Sequence, residues 1–268
     1  MDTAALADEL LSAWKEARLI DPPSARPGGL TLVQAFEVAE AIRQRRCALG
    51  DAPCGYKIGF TNRTIWPRYG VFAPIWAPVW RSTLTLLDGT EAQAPMRGLV
   101  QPRLEPEIVF GFAAAPRPGM RRSDLLACLA WVAHGFEIVH THFADWRFTA
   151  PDTVADFALH GRAYVGPRVP VSRFGRLDEE LAGLELTLSR DGVDVETGRG
   201  ANVLDGPVTA LSLWLEAMAV HSPQWQVRAG DVVTTGTLTD AWPMAPGQVW
   251  QSRIDHAALH GLTLRTMP

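Results

Sequence analysis

Leu104-Glu105-Pro106-Glu107-Ile108-Val109-Phe110 alternates polar and apolar residues around a proline. Successive side chains of a strand point to opposite faces, so Glu105 and Glu107 share one face, with Cα atoms about 7 Å apart. The other face carries Pro106, Ile108 and Phe110 and belongs in a core. Two like charges aimed at one point repel, which is tolerable when a cation or a proton lies between them. By spacing alone the pattern also describes a solvent-facing edge strand, because Pro106 cannot donate to a ladder. Glu137 tips the balance toward a site. It stands in Phe136-Glu137-Ile138-Val139, an apolar strand pattern, where a buried carboxylate needs a partner. Three inward carboxylates without a thiolate make a hard-oxygen site suited to Mg²⁺ or Mn²⁺. His140 and His142 form an H-x-H pair on the face opposite Glu137, and read as core or surface histidines.

Outward from this stretch, Ala4–Ala17 carries apolar residues at helical spacing and Pro22-Pro23 stops it. Thr31 is a plausible N-cap for a helix over Leu32–Leu49, with Val33, Phe36, Val38, Ala39 and Ile42 as its inner stripe. Strands are predicted at Gly55–Phe60, Trp80–Leu87 (ended by a hairpin signal, Asp88-Gly89), Leu104–Phe112 and Phe136–Phe143. The spacing of Ser123–His134 predicts a helix ending at Gly135. Further strands are expected at Arg162–Val165, Leu184–Arg190, Asp231–Thr235 and Gln248–Ile254, with one helix over Val208–Val220. The result is a mixed α/β (α+β) chain. Residues 1–90 form a helical N-terminal segment with the first strands, and residues 91–268 a β-rich body.

The chain has 268 residues, of which 47% are hydrophobic and 20% charged, so a large core is within reach and disorder is excluded as the main state. The 25 basic and 29 acidic residues leave a net charge of -4, no electrostatic footprint for nucleic acid or an anionic membrane. The longest apolar run is too short to span a bilayer, and the acidic, amphipathic N-terminus does not read as a signal peptide. Three cysteines without a CxxC point to a reduced, cytoplasmic protein with neither disulfides nor a thiolate zinc site.

Lys15 and Lys57 are the only lysines in a chain that otherwise uses arginine. Lys57 stands in Gly55-Tyr56-Lys57-Ile58-Gly59-Phe60, either snorkelling from a strand end or placing an ammonium near the carboxylates, where it could stabilise an enolate or move a proton. Asp152 reads as a helix N-cap, whereas Asp156, a turn later, needs another reason. Gly236-Thr237 follows a strand and could hold a substrate carboxylate through backbone N–H groups and a hydroxyl.

An ordered set of motifs, GYKIGFT at 55–61, EPEIVF at 105–110, FEIV at 136–139, DW at 145–146, DTVAD at 152–156 and GDVVTTGTLT at 230–239, resembles the 2-keto-4-pentenoate hydratase family of the fumarylacetoacetate hydrolase superfamily. The resemblance implies a β-roll body and a divalent metal, Mg²⁺ or Mn²⁺, on Glu105, Glu107 and Glu137. It implies Lys57 as the active-site cation, Asp156 beside the substrate, and a homo-oligomer. The activity it implies is metal-dependent hydration of a 2-hydroxy-2,4-dienoate to a 4-hydroxy-2-oxoacid in aromatic-compound catabolism. The nearest alternative is decarboxylation of a 2-oxo-enedioate, followed by a non-catalytic subunit of such an enzyme complex. C–C bond hydrolysis fits less well, because the His–Glu pair that such hydrolases carry upstream of E-x-E has no counterpart before His134.

The chain departs from the family where Asp156 is followed by Phe157-Ala158-Leu159-His160-Gly161 in place of Asn-Ala-Ser-Ser-Gly. His160 thereby enters the candidate substrate contacts, beside Thr237. Arg63 or Arg68 would suit a distal carboxylate, and Trp66, Trp76 and Trp80 a larger apolar pocket.

Overall fold

The computed structural model describes residues 1–70 and 72–268; the side chains of Arg68 and Tyr69 lie outside the described set. Its helices are α1 (Thr3–Glu16), α2 (Leu32–Ala48), α3 (Trp66–Tyr69), α4 (Arg122–Ala127), α5 (Ala150–Ala155), α6 (Leu177–Gly183) and α7 (Pro207–His221). The first strands are β1 (Pro53–Gly59), β2 (Ile75–Trp80), β3 (Leu84–Leu86), β4 (Glu91–Pro95), β5 (Arg103–Phe112), β6 (Leu129–Val139), β7 (His160–Val165) and β8 (Val169–Pro170). They are followed by β9 (Glu185–Arg190), β10 (Val193–Arg199), β11 (Val232–Thr237), β12 (Trp242–Pro243), β13 (Val249–Ile254) and β14 (Thr263–Met267).

Among the described residues these strands form two sheets. The larger runs β2-β1-β11-β5-β6-β7-β3, with β12 beside β5 and β8 beside β6; the smaller runs β10-β9-β13-β14-β4. Strands from the first 90 residues therefore lie in the same sheet as β5, β6 and β11. One apolar core joins both sheets to the helices, with Leu10 of α1, Phe36 of α2, Ile108 of β5, Leu188 of β9, Trp214 of α7 and Trp250 of β13. No described helix is long and apolar enough to cross a membrane.

The two N-terminal helices begin where their polar residues can cap them. Asp2 accepts from the N–H groups of Ala4 and Ala5, and Thr31 and Gln34 form a reciprocal capping box, each worth about 1 kcal/mol. Val33 is 67% exposed and does not join the inner stripe of α2. Asp191 and Gly192 turn β9 into β10 with both residues at positive φ, as a tight hairpin requires.

Two expectations fail for the same physical reason, long-range pairing. The helix expected over Ser123–His134 ends at Ala127, and Leu129–Val139 is one continuous strand laid along β5. Gly135 is then a strand residue, not a helix stop. A Cβ there would lie 2.8 Å from Val109 Cγ2 and 3.1 Å from Tyr164 O, so glycine permits the close approach of β5, β6 and β7. Asp88-Gly89 closes no hairpin either, because β3 pairs in parallel with β7 while β4 belongs to the other sheet.

Candidate active site

The β5–β6 register sets Glu105 directly opposite Glu137, and Glu107 opposite Gly135. On the other side of β5, Thr237 of β11 is the partner of Glu107. Beyond it, β1 runs parallel to β11 with Lys57 beside Thr234. The carboxylates of Glu105, Glu107 and Glu137 each offer an oxygen within 4.8 Å of the others. Lys57 is buried; its Nζ donates to the Ala158 carbonyl at 3.0 Å and lies 3.4 Å from Glu137 Oε2.

Each of the two deepest carboxylates has one oxygen engaged and one open. Glu107 Oε2 accepts from the Gly236 N–H at 2.6 Å, and Glu137 Oε1 is paired with His160 Nδ1 at 2.6 Å. Glu107 Oε1 and Glu137 Oε2 are buried with no hydrogen-bond partner. Gly236 can present its N–H only because it is glycine: its φ is +99°, and a Cβ would lie 1.8 Å from Thr61 Oγ1.

The electrostatics describe a trio that wants a cation. Burial pushes Glu105 up to about 7. Burial, then the charges of Glu137 and Glu105, drives Glu107 well above the usual carboxylate range. Burial acts in the same sense on Glu137, but the Lys57 charge and the His160 hydrogen bond outweigh it and hold that carboxyl down at about 2. For Lys57 burial works against the ammonium, and the three carboxylates more than compensate, raising it above its ordinary value. Two buried oxygens without a hydrogen bond, one of them facing the Lys57 ammonium, an all-carboxylate donor set and protons held where ionisation costs most fit a hard divalent ion.

The pocket over this trio has a polar wall of Lys57, Glu105, Thr237 and Asp240 and an apolar one of Phe60, Ile65, Val139, Trp146 and Leu159. Other residues expected at the site stand elsewhere. Asp156 is buried, with its carboxylate bound by His142 Nδ1 at 2.5 Å, His142 N–H at 3.0 Å and Thr141 Oγ1 at 3.1 Å. Burial opposes its charge and His142 outweighs the burial, leaving Asp156 below its ordinary value. Asp152 is the third helical residue of α5, not its cap; it closes a capping box with Thr149 and binds Ser24 as well.

His160 lies behind Glu137 and does not line the pocket, its second nitrogen 2.8 Å from Thr83 Oγ1. Arg63 pairs with Asp205 at the exposed surface. Trp76 and Trp80 are core residues, and Trp66 donates to the Phe60 carbonyl. The sequence reading missed Asp240 and Trp146 as pocket walls; Trp146 falls in the quoted DW motif, and Asp240 directly follows the TGTLT stretch.

Fold and site together define an enzyme of the metal-dependent kind, with the carboxylate trio as the candidate ligand set. The chain is 31% identical over 241 residues to 2-hydroxyhexa-2,4-dienoate hydratase of Comamonas testosteroni, covering 89% of this chain and 88% of that protein. It is equally 31% identical over 252 residues to 2-keto-4-pentenoate hydratase of Paraburkholderia xenovorans, covering 93% and 90%. The 4-oxalocrotonate decarboxylase of Pseudomonas putida G7, solved with magnesium and adipate, superposes with a TM-score of 0.88 at 25% identity, covering 99% of this chain and 97% of that one. No protein-family model matches the chain. The chain belongs to the 2-keto-4-pentenoate hydratase and 4-oxalocrotonate decarboxylase family of the fumarylacetoacetate hydrolase superfamily.

Proposed function

We propose that this enzyme is a Mg²⁺- or Mn²⁺-dependent decarboxylase of a 2-oxo-enedioate of the 4-oxalocrotonate type, in aromatic-compound catabolism. The observation that carries this reading is the apolar wall facing Lys57 and Glu105. A carboxylate placed against Phe60, Ile65, Trp146 and Leu159 loses its hydration, whereas the CO₂ it becomes is neutral, so the wall favours departure over the ground state. The near-complete structural match to a decarboxylase supports the same reading. Hydration, which the sequence reading ranks first, moves to second place.

Glu105, Glu107 and Glu137 would hold the ion, and a bound divalent cation supplies Lewis acidity to a 2-oxo acid. Lys57 and Thr237 receive the proximal carboxylate, and the Lys57 ammonium offsets negative charge as it moves toward the 2-oxygen. The bond between the chain and its distal carboxylate breaks, and the electron pair passes along the conjugated chain. Carbon regains a proton, which Lys57 is placed to deliver. One proton carrier is enough for this sequence. Hydration needs proton transfer at two positions, and Asp156, the second candidate from the sequence, is tied to His142 and Thr141.

The second reading rests on the two hydratases at 31% identity. In it Asp240, a carboxylate of the pocket wall, activates water. The intact trio and Lys57 weigh against a non-catalytic subunit, since buried charges without a cation only cost stability. A product-mass assay on 2-oxo-hex-3-enedioate and on 2-hydroxypenta-2,4-dienoate, with Mg²⁺ or with chelator, tests the proposal. Metal-dependent loss of CO₂ from the first is expected; gain of water by the second with no CO₂ released from the first would overturn it.

A further inference from the structure

A second pocket, of about 400 Å³, opens where the end of α1, the end of α2, the turn after β2 and the start of β7 meet. Its charged lining residues are all cationic: Lys15, Arg46 and Arg162. Lys15 is exposed and makes no ion pair among the described residues. Arg162 donates to the carbonyls of Pro95 and Arg97, which leaves its positive charge uncompensated. Arg46 is 8% exposed, its guanidinium 4.3 Å from the Trp80 ring centre and 5.2 Å from that of Trp14. Asp51 takes the Arg46 Nε and Nη2 hydrogens, at 3.2 and 2.6 Å, while Nη1 is buried with no partner. Three cations thus converge with one carboxylate among them, and the arginine is already fixed by its two indoles. Ser82 Oγ accepts from Arg46 Nη2 and donates to Asp51, so it helps hold the arginine; a preorganised guanidinium with a spare donor, flanked by the exposed ammonium of Lys15, is what a small oxyanion needs.

From this we propose a second, anion-binding site here, distinct from the catalytic pocket, for a small ion bearing a carboxylate or phosphate group. Thr83 lines this pocket and is also the hydrogen-bond partner of His160, whose other nitrogen holds Glu137. The anion therefore binds behind the metal ligands, on the face away from substrate.

Isothermal titration of the full chain with sodium phosphate, and separately with sodium succinate, tests the site. One saturable equivalent is expected for at least one probe, weakened by added salt and weakened roughly tenfold or more in both Lys15→Glu and Arg162→Gln. Binding to phosphate alone would assign a phosphoryl ligand and to succinate alone a carboxylic acid. Lys15 is at the surface, so Lys15→Glu reads out even if Arg162→Gln impairs folding; circular dichroism and Mg²⁺ titration of Lys15→Glu should match the parent chain. Glu107→Gln, which damages the metal site, should leave the anion affinity intact. No saturable heat with either probe, unchanged affinity in Lys15→Glu, or loss of binding in Glu107→Gln would each overturn the proposal.

Discussion

Replacing Glu105 by glutamine should make the metal-free protein more stable while crippling it as an enzyme. Burial raises the Glu105 carboxyl from 4.5 to about 7. Each unit corresponds to about 1.4 kcal/mol, so its ionisation costs the folded state about 3 kcal/mol, or about 2–3 kcal/mol once solvent reaching Glu105 through the pocket is allowed for. Because the folded group binds its proton more tightly than the unfolded one, this cost is small below pH 4.5, grows between pH 4.5 and 7, and is complete above pH 7. Glutamine is close to isosteric and never ionises. In chelator at pH 8, Glu105→Gln should melt roughly 5–8 °C above the parent chain, and near pH 4.5 the two should nearly coincide. Mg²⁺ should reverse the order, because the parent gains the binding free energy of the ion and the variant loses much of it. Paired thermal melts by circular dichroism at both pH values, with EDTA and with Mg²⁺, contain the whole test. A variant less stable than the parent in chelator at pH 8, or a gain independent of pH, would refute the account of the trio.

Three other substitutions probe separate parts of the site. Lys57→Met removes the ammonium 3.4 Å from Glu137, and steady-state assays should show kcat lower by about 10²–10³. His160→Ala strips a hydrogen bond from Glu137 Oε1 and from Thr83 Oγ1, and calorimetry should find Mg²⁺ affinity 10–100-fold weaker, on the order expected when a ligand's support is lost. Gly236→Ala drives a methyl onto Thr61 Oγ1 at a backbone angle that disfavours side chains; urea denaturation should show a loss of at least about 2 kcal/mol, together with weakened metal binding.

Much of the fold was legible because local rules and the final structure agree. The alternation through Glu105, Glu107 and Ile108 survives as a strand with its carboxylates on one face, and the caps at Thr31 and the Asp191-Gly192 turn act within a few residues. Ala130-Trp131-Val132-Ala133 shows the opposite case. Helical spacing there is as good as strand spacing, and the contest is settled by pairing with β5, some twenty residues earlier in the chain. The trio was legible for a related reason: Glu105 and Glu107 follow from period two, and Glu137 from its apolar neighbours. Lys57 stood out as a lysine in an arginine-rich chain. The partners of Asp156 and His160 were not legible, since neither His142 on one side nor Glu137 and Thr83 on the other is marked by spacing; each is fixed by how α5 and β7 dock.

The position of β11 has a consequence for how the molecule is made. It is inserted between β1 and β5, although about 120 residues separate it from the nearer of them in sequence. A chain emerging from the ribosome therefore holds Lys57 and all three glutamates well before the strand that joins them exists. Until residue 237 is out, β1 and β5 each keep an unpaired edge, and Glu107 lacks the Gly236 N–H. Topologies of this kind are slow to close and leave edges open to other chains while they wait. Truncated products ending before β11 would carry every glutamate of the trio, already set on neighbouring strands by the β5–β6 pairing, but would lack the strand that brings Lys57 beside them and the N–H that holds Glu107.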